Sequence, residues 1–276
     1  METGIPVTLP GGLLAAGRLE CDAVLRPLDG RLEERISAAM TGGDNLPAVV
    51  SDILGAALLS IGGETVMPEQ VVSLMMADRQ WLMLNLAYAL QGGGSWLKGY
   101  CVVCSRPFDL YLDPRQLPVK AAGEGFPFAE PDIGGDRLRL RLPDGADQQR
   151  IAGLDADEAT TLLLSACLLS VNGEAVPAGY IDALDADALR EIDEALDEVS
   201  PYVGTTLATA CPECGRPRRI EINPYLLCAT KQAALFQEVH MLASEYHWSE
   251  RDILSLSRER RRLYMNLIER GRNVVM

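Results

Sequence analysis

The sequence predicts an α+β fold with a pseudo-twofold axis: two tandem copies of a small strand–helices–Cys-x-x-Cys–strand unit, then a C-terminal helical tail. Three matching blocks in the same order predict this arrangement. "CVVCSRPFDLYLDP" from Cys101 and "CPECGRPRRIEINP" from Cys211 share one pattern at an offset of 110 residues, and the same offset aligns "ILGAALLSIGGETV" with "LLSACLLSVNGEAV". At an offset of 115, "VLRPLDGRLEERI" matches "RLRLPDGADQQRI". Internal repetition of this kind indicates a duplicated structural unit.

The repeats divide the chain into five segments. These are an N-terminal extension (1–17), copy one (18–116), a Pro/Gly-rich linker (117–136), copy two (137–226) and an Arg-rich helical tail (227–276). The linker has no hydrophobic period, which is typical of a loop.

Each copy is predicted to begin and end with a strand. "RLECDAVLR" and "RLRLRL" alternate between apolar and polar residues and lead into Asp-Gly, which indicates a strand closed by a turn. After the cysteines, "FDLYLD" and "RIEIN" alternate again and stop before a proline.

Helices are predicted between these strands. A short polar helix comes first, followed by an apolar helix that extends to Gly-Gly or Asn-Gly, a common stop signal. A longer helix follows: "PEQVVSLMMADRQWLMLNLAYAL" in copy one and the more acidic "ADALREIDEALDEV" in copy two. In the tail, Ser249 and Asp252 resemble a capping box between two further helices.

Composition limits the classes of function. The net charge of −14 argues against nucleic acid as the main partner, because such binding draws on positive charge facing phosphates. The charge is uneven, since 151–200 carries 12 acids against one arginine and 249–272 carries seven arginines against four acids. This asymmetry favours docking between proteins, although two differently solvated faces would also produce it.

The chain is expected to be cytoplasmic. No apolar run approaches the roughly 18 residues of a membrane span, and "METGIPVTLPGG" lacks the pattern of a signal peptide. Reduced thiols are then the default, so the seven cysteines do not indicate a disulfide framework.

The two Cys-x-x-Cys pairs are predicted to form zinc knuckles. A redox pair normally lies at a helix N-terminus, whereas both pairs here precede Arg-Pro and an alternating strand. If the copies pack about a pseudo-twofold axis, their pairs could meet and supply the four ligands of a tetrahedral structural Zn²⁺: Cys101, Cys104, Cys211 and Cys214. Unmetallated thiols and a redox pair remain alternatives.

No catalytic motif accompanies these cysteines, and the chain is predicted not to be an enzyme. His240 and His247 are seven residues apart, without the closer spacing of a hydrolytic metal site. A phosphate-binding Gly-x-x-x-x-Gly-Lys and a Gly-x-Ser-x-Gly are both missing from the sequence. Cys21, Cys167 and Cys228 are interpreted as small core residues.

Three stretches resemble T-even phage baseplate hub assembly proteins, which have relatives in bacterial contractile injection systems and prophage tails. They are "VTLPGGLLAAGRLECDAVLRPLDGRLEERI", "ADRQWLMLNLAYAL" and "EYHWSERDILSLSRERRRLYMNLIER". Copy two departs from the pattern, with Ala188 and Leu189 in place of Asp78 and Arg79. The resemblance implies a non-enzymatic role in building the baseplate of a contractile machine, with other baseplate or tail proteins as partners.

The tail is predicted to supply the docking residues, because aromatic and arginine side chains anchor protein interfaces. The candidates are Trp248, Arg258, Arg261, Arg262 and Tyr264. A tail that packs back on its own domain is the alternative. Two other classes of function are alternatives: a zinc-ribbon nucleic-acid-binding regulator, for which the basic residues beside the knuckles are few, and a thiol oxidoreductase.

Overall fold

The computed structural model describes residues 4–229 and 232–274 and has a mixed α+β architecture. The predicted copy one, 18–116, is called the first region below, and the predicted copy two, 137–226, the second region. The elements from the N-terminus to the end of the first region are β1 (Ile5–Ala15), β2 (Arg18–Leu25), α1 (Gly30–Gly42), α2 (Leu46–Ala57), β3 (Leu58–Ile61), β4 (Glu64–Thr65), α3 (Pro68–Val72), α4 (Met76–Gln91), β5 (Ser95–Tyr100) and β6 (Pro107–Leu112).

The predicted linker and the second region continue the chain. Their elements are β7 (Val119–Lys120), β8 (Phe128–Ala129), β9 (Asp132–Ile133), β10 (Asp136–Arg141), α5 (Gly145–Ile151), α6 (Ala156–Cys167), β11 (Leu168–Val171), α7 (Ala186–Val199), β12 (Tyr202–Val203), β13 (Thr206–Ala210) and β14 (Pro217–Glu221). The tail forms α8 (Gln232–Tyr246), α9 (Glu250–Leu254) and α10 (Arg258–Val274).

Antiparallel pairing organises both regions. The first sheet has the order β1-β2-β3-β4, so residues 5–15 of the predicted extension form a strand of the first region's sheet. In the second region β10 pairs with β11, β8 and β9. Strand β7 pairs with β12. The predicted linker therefore contributes strands to the sheets on its C-terminal side.

The predicted strands β2, β10, β6 and β14 are confirmed, but the predicted apolar helices end too late. Helix α2 ends at Ala57 and α6 at Cys167, and the next four residues of each form β3 and β11. These strands pair with β2 and β10. A short apolar run fits a buried helix and a buried strand equally well by periodicity, and here the neighbouring strand decides.

The long helix predicted in the first region is divided into α3 and α4. The break lies at 73–75, where the Leu74 carbonyl accepts a hydrogen bond from the Gly145 N–H over 3.1 Å. Met75 also forms an isolated antiparallel bridge with Asp144. Contacts with the second region thus occupy backbone groups that a continuous helix would use itself.

The first region has much the larger core. Buried side chains of β1–β3, α1, α2 and α4 form one cluster, which Tyr225 and Cys228 also join. The second region has a smaller cluster around β10, β11 and α7. A third cluster spans both regions and joins α4 and β6 to the segment containing Val203 and Ile222. The two regions therefore share apolar packing. The segments that carry the Cys-x-x-Cys pairs lie next to this shared cluster.

Asp78 and Arg79 are fully buried in the first turn of α4. The Asp78 carboxylate accepts hydrogen bonds from the N–H groups of Gly11 and Gly12 over 2.8 and 3.1 Å, where the β1 register shifts. Burial raises the pKa of Asp78 to about 7, although these two N–H groups act in the opposite direction. The Arg79 guanidinium donates to the carbonyls of Val71 and Pro47. This pair thus fixes α4 to β1 on one side and to α2 and α3 on the other.

The tail packs on the first region. Helix α8 contacts α1 and α10, and α9 contacts α1. The Ser249 hydroxyl caps α9 by accepting from the Asp252 N–H over 3.2 Å, which confirms the predicted helix start. Among the helices of the described residues, none combines the length and the apolar character needed to cross a membrane.

Candidate metal centre

The two Cys-x-x-Cys pairs lie at the tips of two antiparallel hairpins. The first hairpin pairs β5 with β6, from Ser95 opposite Leu112 to Tyr100 opposite Pro107. The second hairpin pairs β13 with β14, from Thr206 opposite Glu221 to Ala210 opposite Pro217. In both, the strand before the first cysteine was missed, since "SWLKGY" and "TLATA" are short and follow glycine-containing loops.

The turns at the two tips have the same hydrogen bonds at an offset of 110 residues. In the first hairpin, the Cys101 N–H donates to the Arg106 carbonyl over 2.9 Å, and the Ser105 N–H donates to the Cys101 carbonyl over 2.8 Å. In the second, Cys211 and Gly215 make the corresponding bonds, each 2.9 Å long.

The residue after the second cysteine has a positive φ in both turns. The angle is 56° at Ser105 and 68° at Gly215. Glycine adopts this left-handed conformation without a steric penalty, whereas serine is strained by about 1 kcal/mol. The position is therefore set by the turn, and it directs both sulfurs of a pair to one side.

The two tips bring four sulfur atoms together. All four Sγ atoms of Cys101, Cys104, Cys211 and Cys214 lie within 4.8 Å of one another. Two of these contacts join different hairpins, at 3.8 Å for Cys101 with Cys214 and 3.7 Å for Cys104 with Cys211. A tetrahedral site with metal–sulfur bonds of about 2.3 Å has sulfur–sulfur edges of about 3.8 Å. This cysteine cluster can therefore hold a metal ion.

The cysteine cluster is buried against apolar residues on one side and faces solvent on the other. Cys101 and Cys211 are buried and pack with Phe108. Cys104 is half-buried and Cys214 is exposed, so one side of the cluster faces solvent. Such burial excludes competing ligands from two sulfurs while leaving an entry path for the ion.

The thiols of one hairpin differ in acidity. Three hydrogen-bond donors stabilise the Cys101 thiolate: the N–H groups of Cys104 and Val103 and the Arg218 guanidinium. The Nη2 atom of Arg218 lies 3.2 Å from the Cys101 Sγ. Together these donors lower the pKa of Cys101 to about 5. Burial raises the pKa of Cys104 to about 12. A bound cation deprotonates coordinating thiols outright, so metal binding would release protons from the cluster.

The other three cysteines lie outside the cluster. Cys167 and Cys228 are buried, as predicted, and burial raises the pKa of Cys228 to about 12. Cys21 is half-buried on β2, where its thiol donates to the Gly11 carbonyl over 3.7 Å. His240 and His247 are both exposed on or beside α8. Within 4–229 and 232–274, the four knuckle cysteines are the set whose ligand atoms converge.

The five predicted docking residues are not equally available to a partner. The Arg261 side chain is fully buried, and its guanidinium binds Glu33 over 2.6 Å and Glu238 over 3.1 Å. Arg258 is half-buried and donates to the Leu90 carbonyl over 2.5 Å. Trp248 and Tyr264 are half-buried against each other, with ring centroids 4.9 Å apart. Of the predicted set, Arg262 alone is exposed.

The first hairpin also has an exposed apolar surface, which was not predicted from the sequence. Trp96 and Tyr100 of β5 and Tyr111 of β6 are exposed on one face, and Trp96 and Tyr111 contact with ring centroids 5.3 Å apart. Val102 and Val103 at the tip are also exposed. We call these five residues the aromatic face. Trp96 and Tyr100 were the signal that could have revealed it, because side chains an even number of residues apart in a strand lie on the same face.

The chain matches no protein-family model, no curated protein and no solved structure. Its function must accordingly be argued from its own residues.

Proposed function

We propose that the chain is a non-enzymatic assembly or structural adaptor protein of a phage-like contractile injection system, stabilised by one structural Zn²⁺. The observation that carries the proposal is the cysteine cluster, in which two hairpins far apart in sequence meet beside the exposed aromatic face. The sequence resemblance to baseplate hub assembly proteins supplies the cellular setting.

Zinc suits the cysteine cluster better than other common ions do. Four thiolates at tetrahedral spacing form a soft, closed ligand set, which is typical of structural zinc and leaves no open position for a substrate. In this proposal Zn²⁺ contributes folding free energy by joining the hairpins, and it takes no part in chemistry.

A duplicated unit explains why the ligands come from both regions. The hydrogen bonds of the two turns correspond at an offset of 110 residues. Strands β2 and β10 correspond at the offset of 115 residues that their sequences share. We propose that the regions are two copies related by a pseudo-twofold axis that passes through the metal. Duplication would then have brought two half-sites together as one closed site.

The aromatic face is the proposed docking surface for another baseplate or tail protein. It combines exposed aromatic rings with Lys98 and Asp109, which lie opposite each other between the rings. Aromatic side chains form the energetic centre of many protein interfaces, and a balanced pair of charges does not attract nucleic acid. This composition supports the adaptor over the nucleic-acid-binding regulator.

Arg262 on α10 provides a second, basic contact in the proposal. It lies beside exposed Leu263 and, one turn further on, exposed Leu267. The buried Arg261 has a different role, because it fixes α10 to α1 through Glu33.

The test is an affinity purification from cells that carry the native gene cluster, with a tagged wild-type chain and a tagged Trp96→Ala/Tyr111→Ala variant. Tail or baseplate proteins should co-purify with the wild type and be depleted at least about tenfold with the variant. Zinc content should be the same in both. A matched Thr206→Ala/Glu221→Ala variant alters the opposing pair of the second hairpin and should retain the partners. Recovery of nucleic acid without tail proteins would favour the regulator instead.

A further inference from the structure

A cleft of about 700 Å³ lies where the tail meets the first region. Its walls come from the end of β2, from α1 and α2, and from the segment joining α9 to α10. Four arginines line it: Arg26, Arg31, Arg35 and Arg260. We call it the arginine cleft. So many cations around one opening are unexpected in a chain with a net charge of −14.

None of these arginines is neutralised within the described part of the chain. No carboxylate lies within ion-pair distance of Arg26, Arg35 or Arg260, and Arg31 donates only to the Arg251 carbonyl over 3.3 Å. Asp29 is the one acid among the described residues of the lining, and its carboxylate accepts the Leu32 N–H at the start of α1. Four arginines against one aspartate leave the cleft with a net positive charge.

Arg31 and Arg35 lie one turn apart on α1, a spacing at which like charges destabilise a helix. An anionic partner would relieve this repulsion. Arginine is also suited to carboxylates, because its planar guanidinium donates two parallel hydrogen bonds.

Helix α7 has the opposite charge on its exposed side. Helix α7 buries Ile192 in the second region's core and exposes carboxylates on its outer side. Arg190 pairs with Asp187 and Glu194. Two further exposed acids of α7, Asp193 and Asp197, lie one turn apart on the same side of the helix and have no ion pair within the described residues. We call these two the acidic face.

We infer that the arginine cleft binds the acidic face of α7 from a second copy of this chain. Asp193 and Asp197 are separated by one helical turn, about 6 Å along the axis, and Arg31 and Arg35 have the same separation on α1. Two helices lying side by side could thus pair both charges at once. No α7 residue lines the cleft of its own chain, so the contact joins different molecules.

The contact is heterologous, since it joins two different surfaces. A pair joined in this way keeps one unused acidic face on one copy and one unused cleft on the other, so copies add head to tail and form rings or open chains. This inference does not depend on the aromatic face, the metal or the identity of the proposed baseplate partners.

Charge reversal tests the pairing. Analytical ultracentrifugation of the wild type should show concentration-dependent association, and Arg31→Glu/Arg35→Glu and Asp193→Arg/Asp197→Arg should each weaken it at least about tenfold. Mixing the two variants should restore association in alternating order. The native α7 of the first variant then meets the native cleft of the second, and the reversed cleft of the first meets the reversed α7 of the second.

A chain that carries all four substitutions should associate again, because cleft and helix have then exchanged charges. The control is Arg18→Glu/Arg270→Glu, which alters net charge equally at exposed positions outside the cleft and should leave association unchanged within about twofold. Circular dichroism verifies folding of each variant. A wild type that stays monomeric at about 100 μM, or a mixture of the two variants that does not associate, overturns the inference.

Discussion

In the first region α4 enters the core with Asp78 and Arg79 fully buried, whereas in the second region α7 buries only Ile192 fully and exposes its acids. The hairpins that follow these helices nevertheless close their turns with the same hydrogen bonds. The two regions thus agree in their cysteine turns and in the segments α2–β3 and α6–β11, and they differ in their cores and surfaces.

The largest expected effect concerns the cysteine cluster, to which both regions contribute. Cys101→Ser and Cys211→Ser should each remove the whole metal content, one zinc per chain, because a three-sulfur site no longer closes. Each should also lower the free energy of unfolding by several kcal/mol, a part of the roughly 10–16 kcal/mol that structural zinc contributes in small domains. Mass spectrometry under native conditions and urea titration measure the two quantities.

Cys21→Ser is the control for that pair, and it should retain the zinc. Two zinc ions per chain, or loss of half the metal in either variant, would show that each hairpin binds metal separately.

The next effect concerns the helix of the first region. Arg79→Leu should reduce the free energy of unfolding by about 2–4 kcal/mol, since it leaves the Val71 and Pro47 carbonyls without a buried donor. Arg190→Leu on α7 is the matched change, and it should cost less than about 1 kcal/mol because its ion pairs are exposed. Equal costs in chemical denaturation would contradict the contrast between the regions.

Asp78 should make stability depend on pH. Its folded pKa of about 7 lies above its ordinary value near 4, so the folded state binds the proton more tightly. The resulting stabilisation is complete below pH 4, declines as pH rises towards 7 and is lost above it, with a total on the order of a few kcal/mol. Urea titrations at pH 4.5 and 8 should show this decline, and Asp78→Asn should remove it. An unchanged decline in the variant would assign it to other groups.

The smallest effect concerns the outer surfaces of the hairpins. Trp96→Ala should destabilise the chain by about 0.5–1 kcal/mol, mainly by removing the cross-strand contact with Tyr111, because the ring is 69% exposed. Thr206→Ala in the second hairpin should cost about 0.5 kcal/mol or less. A loss above about 2 kcal/mol for Trp96→Ala in thermal unfolding would mean that the aromatic face is covered within the protein itself.

Much of the site could be predicted from sequence, because a Cys-x-x-Cys turn followed by a strand depends on local residues. The strands β2 and β10 were likewise visible as alternation that ends at Asp-Gly. The ends of α2 and α6 were not, since an apolar run fits a helix and a strand alike until a neighbouring strand accepts its hydrogen bonds.

The sequence also did not show which of the tail arginines are exposed. Arg261 and Arg262 are adjacent in sequence, yet one is buried against Glu33 and the other is exposed. Which side of α10 meets α1 depends on packing between segments more than 200 residues apart, and the local sequence carries no record of that contact.

By itself the sequence determined the α+β class, the local form of both cysteine turns and the separation of acidic and basic segments, because these follow from short-range patterns and composition. The tertiary structure alone decided that the four sulfurs meet within 4.8 Å, that the aromatic face is exposed and that one cleft is lined by four arginines without an ion pair among the described residues. The physical reason is that these are relations between distant segments, and only packing of the two regions and the tail sets the distances.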